Sequence, residues 1–116
     1  MRLLLVINRA PYDGTDVVWN ALRLAGSAAE TGMSVRLFLM NDGVDLARTG
    51  VTPEGAEFDL QEMLRELIAG GVEVRLCQTC LTRCGIGKGE TIPQAQIAGM
   101  KDLVAWVVGS EKVLSF

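Results

Sequence analysis

Three thiols stand close together in the stretch Cys77-Gln78-Thr79-Cys80-Leu81-Thr82-Arg83-Cys84-Gly85, and they are all the cysteines of the 116-residue chain. The stretch directly follows Val72-Glu73-Val74-Arg75-Leu76, which reads as a β-strand. A thiol at the end of a strand, entering a helical turn, is placed for chemistry. The thiolate is the reactive form, and nearby cations favour it. Arg75, Arg83 and Lys88 are the candidate cations. If residues 78–84 are helical, Cys77 and Cys80 share a face, and Cys84 lies near it. Cys80 could then close a disulfide with a modified Cys77. A cysteine at a strand end also packs well as a small apolar residue, so each thiol has a purely structural reading beside the chemical one.

Other chemistries fit the residue types less well. Cys-x2-Cys-x3-Cys supplies three thiolates, whereas structural zinc usually takes four ligands, and the chain has neither a second motif nor a histidine. No resident metal or cofactor is expected. The absence of histidine also removes the commonest general base. Gly85-Ile86-Gly87-Lys88-Gly89 resembles a phosphate loop only superficially, because Gly89 stands where a Walker motif needs Ser or Thr. It reads as a mobile loop beside the thiols. Asn41-Asp42-Gly43 reads as a turn, with Asn41 and Asp42 placed to orient a substrate or partner near Cys77.

The elements that must position these groups follow from hydrophobic patterning. Residues 3–7 and 35–40 are apolar runs typical of parallel strands covered on both faces. Val18, Leu22, Ala25 and Ala29 repeat at helical spacing after a loop over residues 8–14, with Asp13 or Thr15 as candidate cap and Gly32 as the stop. Residues 44–57 read as a short helix or irregular loop. Leu60, Met63, Leu64, Leu67 and Ile68 form a stripe ended by Gly70-Gly71. Val72, Val74 and Leu76 alternate with Glu73 and Arg75, so one face of the third strand is wet, packed on a polar surface or covered by another subunit. A helix over 101–108, broken by Gly109-Ser110, and a strand over 112–116 close the chain. Alternating strands and helices predict a single domain over 1–116, a three-layer α/β/α sandwich with a mainly parallel, Rossmann-like sheet of about five strands. Sites in such sheets gather at the carboxyl ends of the strands, which selects the loops 8–15, 41–44 and 77–89.

Composition narrows the function. Apolar residues make up 49% of the chain and the formal charge is −3, with no basic run, which disfavours nucleic acid. No segment approaches the roughly 20 apolar residues of a membrane span. The clustered, odd-numbered cysteines point to a reducing, cytoplasmic setting.

Taken in order, several segments resemble the DsrE/DsrF-like family of small sulfur-relay proteins, with its TusD-like and YchN-like groups. They are the opening strand, Leu22-Arg23-Leu24-Ala25, Phe38-Leu39-Met40-Asn41-Asp42-Gly43-Val44, the cysteine after the third strand, Arg83-Cys84-Gly85-Ile86, and Lys112-Val113-Leu114-Ser115-Phe116. The resemblance spans nearly the whole chain. It implies that Cys77 carries sulfane sulfur as a persulfide and passes it to an acceptor thiol, as a sulfurtransferase would. It also implies sulfur donor and acceptor proteins as partners, and assembly as homotrimers or homohexamers. Cys77 and Cys80 are then the catalytic candidates, with Arg83, Lys88, Asn41 and Asp42 as substrate or partner contacts. A non-catalytic oligomeric binding module of the same fold and a thiol-based metal or redox sensor are the alternatives.

Overall fold

Five parallel strands form one sheet in the order β4-β3-β2-β1-β5, in a computed structural model that describes residues 1–116. The strands are β1 Arg2–Ile7, β2 Ser34–Leu39, β3 Glu73–Cys77, β4 Gln96–Ala98 and β5 Lys112–Ser115. Helix α1 Val17–Glu30 links β1 to β2, and a 3-10 helix Asn41–Ala47 with α2 Leu60–Ala69 links β2 to β3. The short α3 Gln78–Arg83 follows β3, and α4 Met100–Val108 joins β4 to β5. The chain steps outward from β1 to β4 and then returns across the sheet to β5. Right-handed crossovers therefore put α1 and α2 on one face and α4 on the other, the expected three layers.

The core explains why β1 is so apolar. Leu3, Leu4, Leu5 and Ile7 are all buried, as a strand covered on both faces requires. Val18, Ala21, Leu22, Ala25 and Ala28 form the buried stripe of α1. Trp106 anchors α4, meeting Phe38 edge-on at 6.4 Å. The polar face of the third strand is also accounted for. Arg75 stacks over Trp106 at 4.3 Å and Arg36 lies over the same ring at 5.2 Å. Such contacts contribute about 0.5–2 kcal/mol each, more than the 3.8 Å approach of Arg36 to an exposed Glu73 can offer.

Two local expectations are corrected. The 41–43 segment is not a simple turn: it opens the 3-10 helix, because Gly43 lies directly against the end of β1. The cap position of α1 is Asp16, which makes no side-chain capping bond; Thr15, one residue earlier, accepts the Val17 amide at 3.4 Å, and Asp13 accepts from the Thr15 amide and hydroxyl. The buried Gln61 of α2 donates to the carbonyls of Leu46 and Arg48, tying down the end of the 3-10 helix. No helix is long and apolar enough to cross a membrane.

A Cβ at Gly43 would overlap the Ile7 carbonyl oxygen. Gly43→Ala is therefore expected to cost at least about 3 kcal/mol, since neither backbone can yield cheaply. Urea unfolding followed by circular dichroism checks this; a loss below about 1 kcal/mol would show that the contact relaxes freely.

Candidate functional site

The three carboxyl-end loops meet at the thiols. Cys77 is the last residue of β3, paired in register with Ala98 of β4, and is also the cap residue of α3. Its Sγ accepts the Cys80 amide at 3.4 Å. The Cys80 Sγ accepts the backbone amide of Asn41 at 3.1 Å. The Asn41 side chain donates to Asn8 Oδ1 at 2.8 Å, and Asn8 binds the Phe116 carbonyl through its backbone amide (2.8 Å) and its Nδ2 (3.3 Å). One chain of hydrogen bonds thus runs from β3 across the ends of β2 and β1 to β5.

All three cysteines are free and graded in exposure: Cys77 is buried at 4%, Cys80 is partly buried and Cys84 is exposed. Cys77, the thiol that the strand end places for chemistry, is thus buried in the single chain. Residue 77 closes the strand and packs in the core, so its neighbour Cys80 is the more accessible of the pair. The three do not converge on a common point, and no group of three or more Cys, Asp or Glu side chains could hold a metal ion.

The expected cations separate. Arg75 is committed to Trp106. Burial pushes the Cys80 thiol above its ordinary value, and the neighbouring Cys77 sulfur acts in the same direction; the Asn41 amide and the Arg83 charge oppose them. Lys88 lies on the exposed loop and lines a surface hollow of about 440 Å³ with Gln78, Leu81, Thr82, Ile86, Gly87 and Ile97. Asp42 is exposed and bonds to neither sulfur. Of the candidate contacts, Asn41 and Arg83 act on Cys80 directly, and Lys88 and Asp42 stand apart.

Comparison with known proteins fits the geometry. The family model described as "DsrE/DsrF-like family" matches residues 1–116. The chain belongs to the DsrE/DsrF-like family. It is 37% identical over 117 residues to the protein YchN of Escherichia coli (strain K12), covering 99% of this chain and 98% of that protein. It is 38% identical over 111 residues to the uncharacterized protein MK0008 of Methanopyrus kandleri, covering 96% and 90%. The crystal structure of the E. coli YchN protein superposes with a TM-score of 0.90 at 36% identity, covering 100% of this chain and 99% of that one. MTH1491 of Methanobacterium thermoautotrophicum shares the fold, with a TM-score of 0.74 at 15% identity over 99% and 98% of the two chains. These likenesses establish a DsrE/DsrF-like family member with an α/β fold.

The sequence selects the loop that Asn8 opens without singling out Asn8 itself. Its signal was an amide side chain at the first position beyond a carboxyl strand end, the place where sites gather in parallel sheets.

The exposure gradient predicts an order of reaction. Limiting iodoacetamide near neutral pH should alkylate Cys84 first, Cys80 more slowly and Cys77 last, as mapped by peptide mass spectrometry. Because burial raises the folded Cys80 thiol above its ordinary value, its labelling rate should still be climbing with pH above the ordinary thiol range. Labelling of Cys77 ahead of Cys80 would contradict this geometry.

Proposed function

We propose that this chain is a sulfur-relay protein that stores sulfane sulfur as a persulfide on Cys77 and exchanges it through the neighbouring Cys80. The supporting observation is the pairing of two thiols at the carboxyl edge of the sheet, with the Cys80 amide on the Cys77 sulfur, in a chain that belongs to the DsrE/DsrF-like family. The buried thiol is shielded from bulk oxidants and water, and the partly exposed one faces incoming partners.

The chemistry balances without an added oxidant. A thiolate of the site attacks the terminal sulfur of a donor persulfide; a new sulfur–sulfur bond forms, the donor's bond breaks, and the donor leaves as its thiolate. Transfer between Cys80 and Cys77 repeats the step, and release to an acceptor thiol reverses it. Attack of Cys80 on the inner sulfur of a Cys77 persulfide instead closes a Cys77–Cys80 disulfide and expels hydrosulfide. That route discharges the cargo and leaves the site oxidised. The reading implies donor and acceptor proteins as partners and a reducing, cytoplasmic setting.

The same proposal includes assembly as a homotrimer or homohexamer. Met100, Val104, Val107 and Val108 form an exposed apolar stripe on α4, with Val108 80% exposed. Such a stripe on a small chain is suited to burial between subunits.

Incubation with an excess of a small sulfane-sulfur donor should add the mass of one sulfur atom to the Cys77 peptide. Cys77→Ser should abolish the stable adduct, and Cys80→Ser should slow its formation about tenfold or more. Sulfur found on Cys84 alone, or none on reduced protein, would overturn the reading. Light scattering at micromolar concentration should give a trimer or hexamer, and Val104→Glu with Val108→Glu should dissociate it; a wild-type monomer would rule out the assembly.

A further inference from the structure

Cys84 takes no part in the exchange between Cys77 and Cys80, yet the fold gives it a defined place. Its backbone is right-handed helical, and its amide donates to the Cys80 carbonyl at 2.9 Å. It is the last residue wound onto α3, and the winding stops directly after it. Gly85 has φ +71°, its amide donates to the Thr82 carbonyl at 3.1 Å, and the Ile86 amide donates to the Leu81 carbonyl at 2.9 Å. That pair of bonds is a Schellman motif, for which glycine supplies the left-handed residue. Leu81 and Ile86 are both buried, as the motif favours. The chain is thus fixed on either side of residue 84, while Cys84 itself is exposed.

Helical geometry sets the three thiols in series. Positions 77, 80 and 84 follow the spacing i, i+3, i+7, one stripe along the helix. Residues three and four apart lie about 5–6 Å from each other at Cβ, and the outer sulfur of a persulfide extends about 2 Å beyond the cysteine sulfur. A sulfur held on Cys84 therefore reaches toward Cys80, one turn back. Cys80 in turn adjoins Cys77, whose sulfur accepts its amide. Exposure falls along the same series, from open Cys84 through partly buried Cys80 to buried Cys77. Thiol exchange depends on access to the reacting sulfur. A persulfide on the surface of a folded donor meets no sulfur at Cys77, and the Cys80 sulfur is partly covered by the Asn41 amide at 3.1 Å. Burial also raises the Cys80 thiol above its ordinary value, so it is less often the attacking thiolate.

We propose that Cys84 is a third catalytic residue, the port through which a donor protein loads the site: it takes the sulfur first and hands it by way of Cys80 to Cys77. The inference rests on the sulfur-relay reading and adds to it the residue that meets the donor. In the first step the Cys84 thiolate attacks the outer sulfur of the donor persulfide; a sulfur–sulfur bond forms at Cys84, the donor's bond breaks, and the donor leaves as its thiolate. In the second, the Cys80 thiolate attacks the outer sulfur of the Cys84 persulfide and Cys84 leaves as its thiolate. The third repeats this between Cys80 and Cys77. Each step forms one sulfur–sulfur bond and breaks one, and the proton stays on the transferred sulfur, so neither oxidant nor reductant is consumed.

The test uses the full-length reduced chain and persulfidated serum albumin, a donor too large to enter the site, labelled in its outer sulfur. Samples are quenched at intervals with an alkylating reagent, and the label is placed by peptide fragmentation. Label should appear on Cys84 first and fall there as it rises on Cys77. In Cys80→Ser it should accumulate on Cys84. In Cys84→Ser and Cys84→Ala, loading of Cys77 should slow about tenfold or more, with the circular dichroism spectrum of the wild type retained. Cys77 that loads in either Cys84 variant as fast as in the wild type overturns the inference and leaves the relay reading standing. So does a wild type that loads Cys77 from the small sulfane-sulfur donor but never from the albumin. A wild type that loads Cys77 from neither donor refutes the relay reading, and the inference with it.

Discussion

Position 77 does two structural jobs at once, and the geometry of the site follows from that. As the last residue of β3, Cys77 is held in register with Ala98. As the cap of α3, its sulfur receives the Cys80 amide. The side chain that ends the strand therefore also starts the helix that carries the second thiol. With the backbone fixed on one side by the ladder and on the other by the helical turn, the two sulfurs cannot drift apart without undoing β3 or α3. A serine could keep the capping bond, since hydroxyls cap helices well, so sulfur at this position is a chemical choice layered on a structural one.

The neighbouring strand ends complete the arrangement by close approach. The contact between Gly43 and the Ile7 carbonyl brings the 3-10 helix down onto the end of β1. This leaves Asn41 facing α3. In a sheet of this order the crevice at the reversal of strand order lies between β1 and β5. Here Phe116 bridges it, its carbonyl taking both Asn8 donors. The site is displaced two strands along, to the end of β3. Asn8 links the filled crevice to the working edge.

Much of this was legible in the sequence, because the signals were those that tertiary context rarely overrides. The apolar run of β1, the stripe from Leu60 to Ile68 and the alternation in β3 report burial directly, and the structure keeps all three elements. The segment around β4 carried no such signal: Gln96–Ala98 is a three-residue edge strand, too short for a period to show. The 3-10 helix was hidden for a different reason. Asn-Asp-Gly is ordinary turn chemistry, and only the distant Ile7 carbonyl turns it into the start of a helix. Exposure at the site was equally non-local. That Cys77 is buried and Cys80 is the more accessible depends on how α3 folds back over β3, which the spacing of the cysteines does not encode. The cations were legible as residues but not as partners, since the claim of Trp106 on Arg75 arises across the sheet.

The account makes Cys77 a reversible store and not an endpoint. Its most direct test follows sulfur outward. Protein loaded with isotopically labelled sulfane sulfur and freed of donor is mixed with an excess of a thiol acceptor, and the label is followed on both partners. The account predicts that label leaves the Cys77 peptide and appears on the acceptor in equal amount, faster in wild type than in Cys80→Ser. Label that stays on the protein indefinitely, or that leaves at the same rate from a variant lacking the Cys77 sulfur, would contradict it.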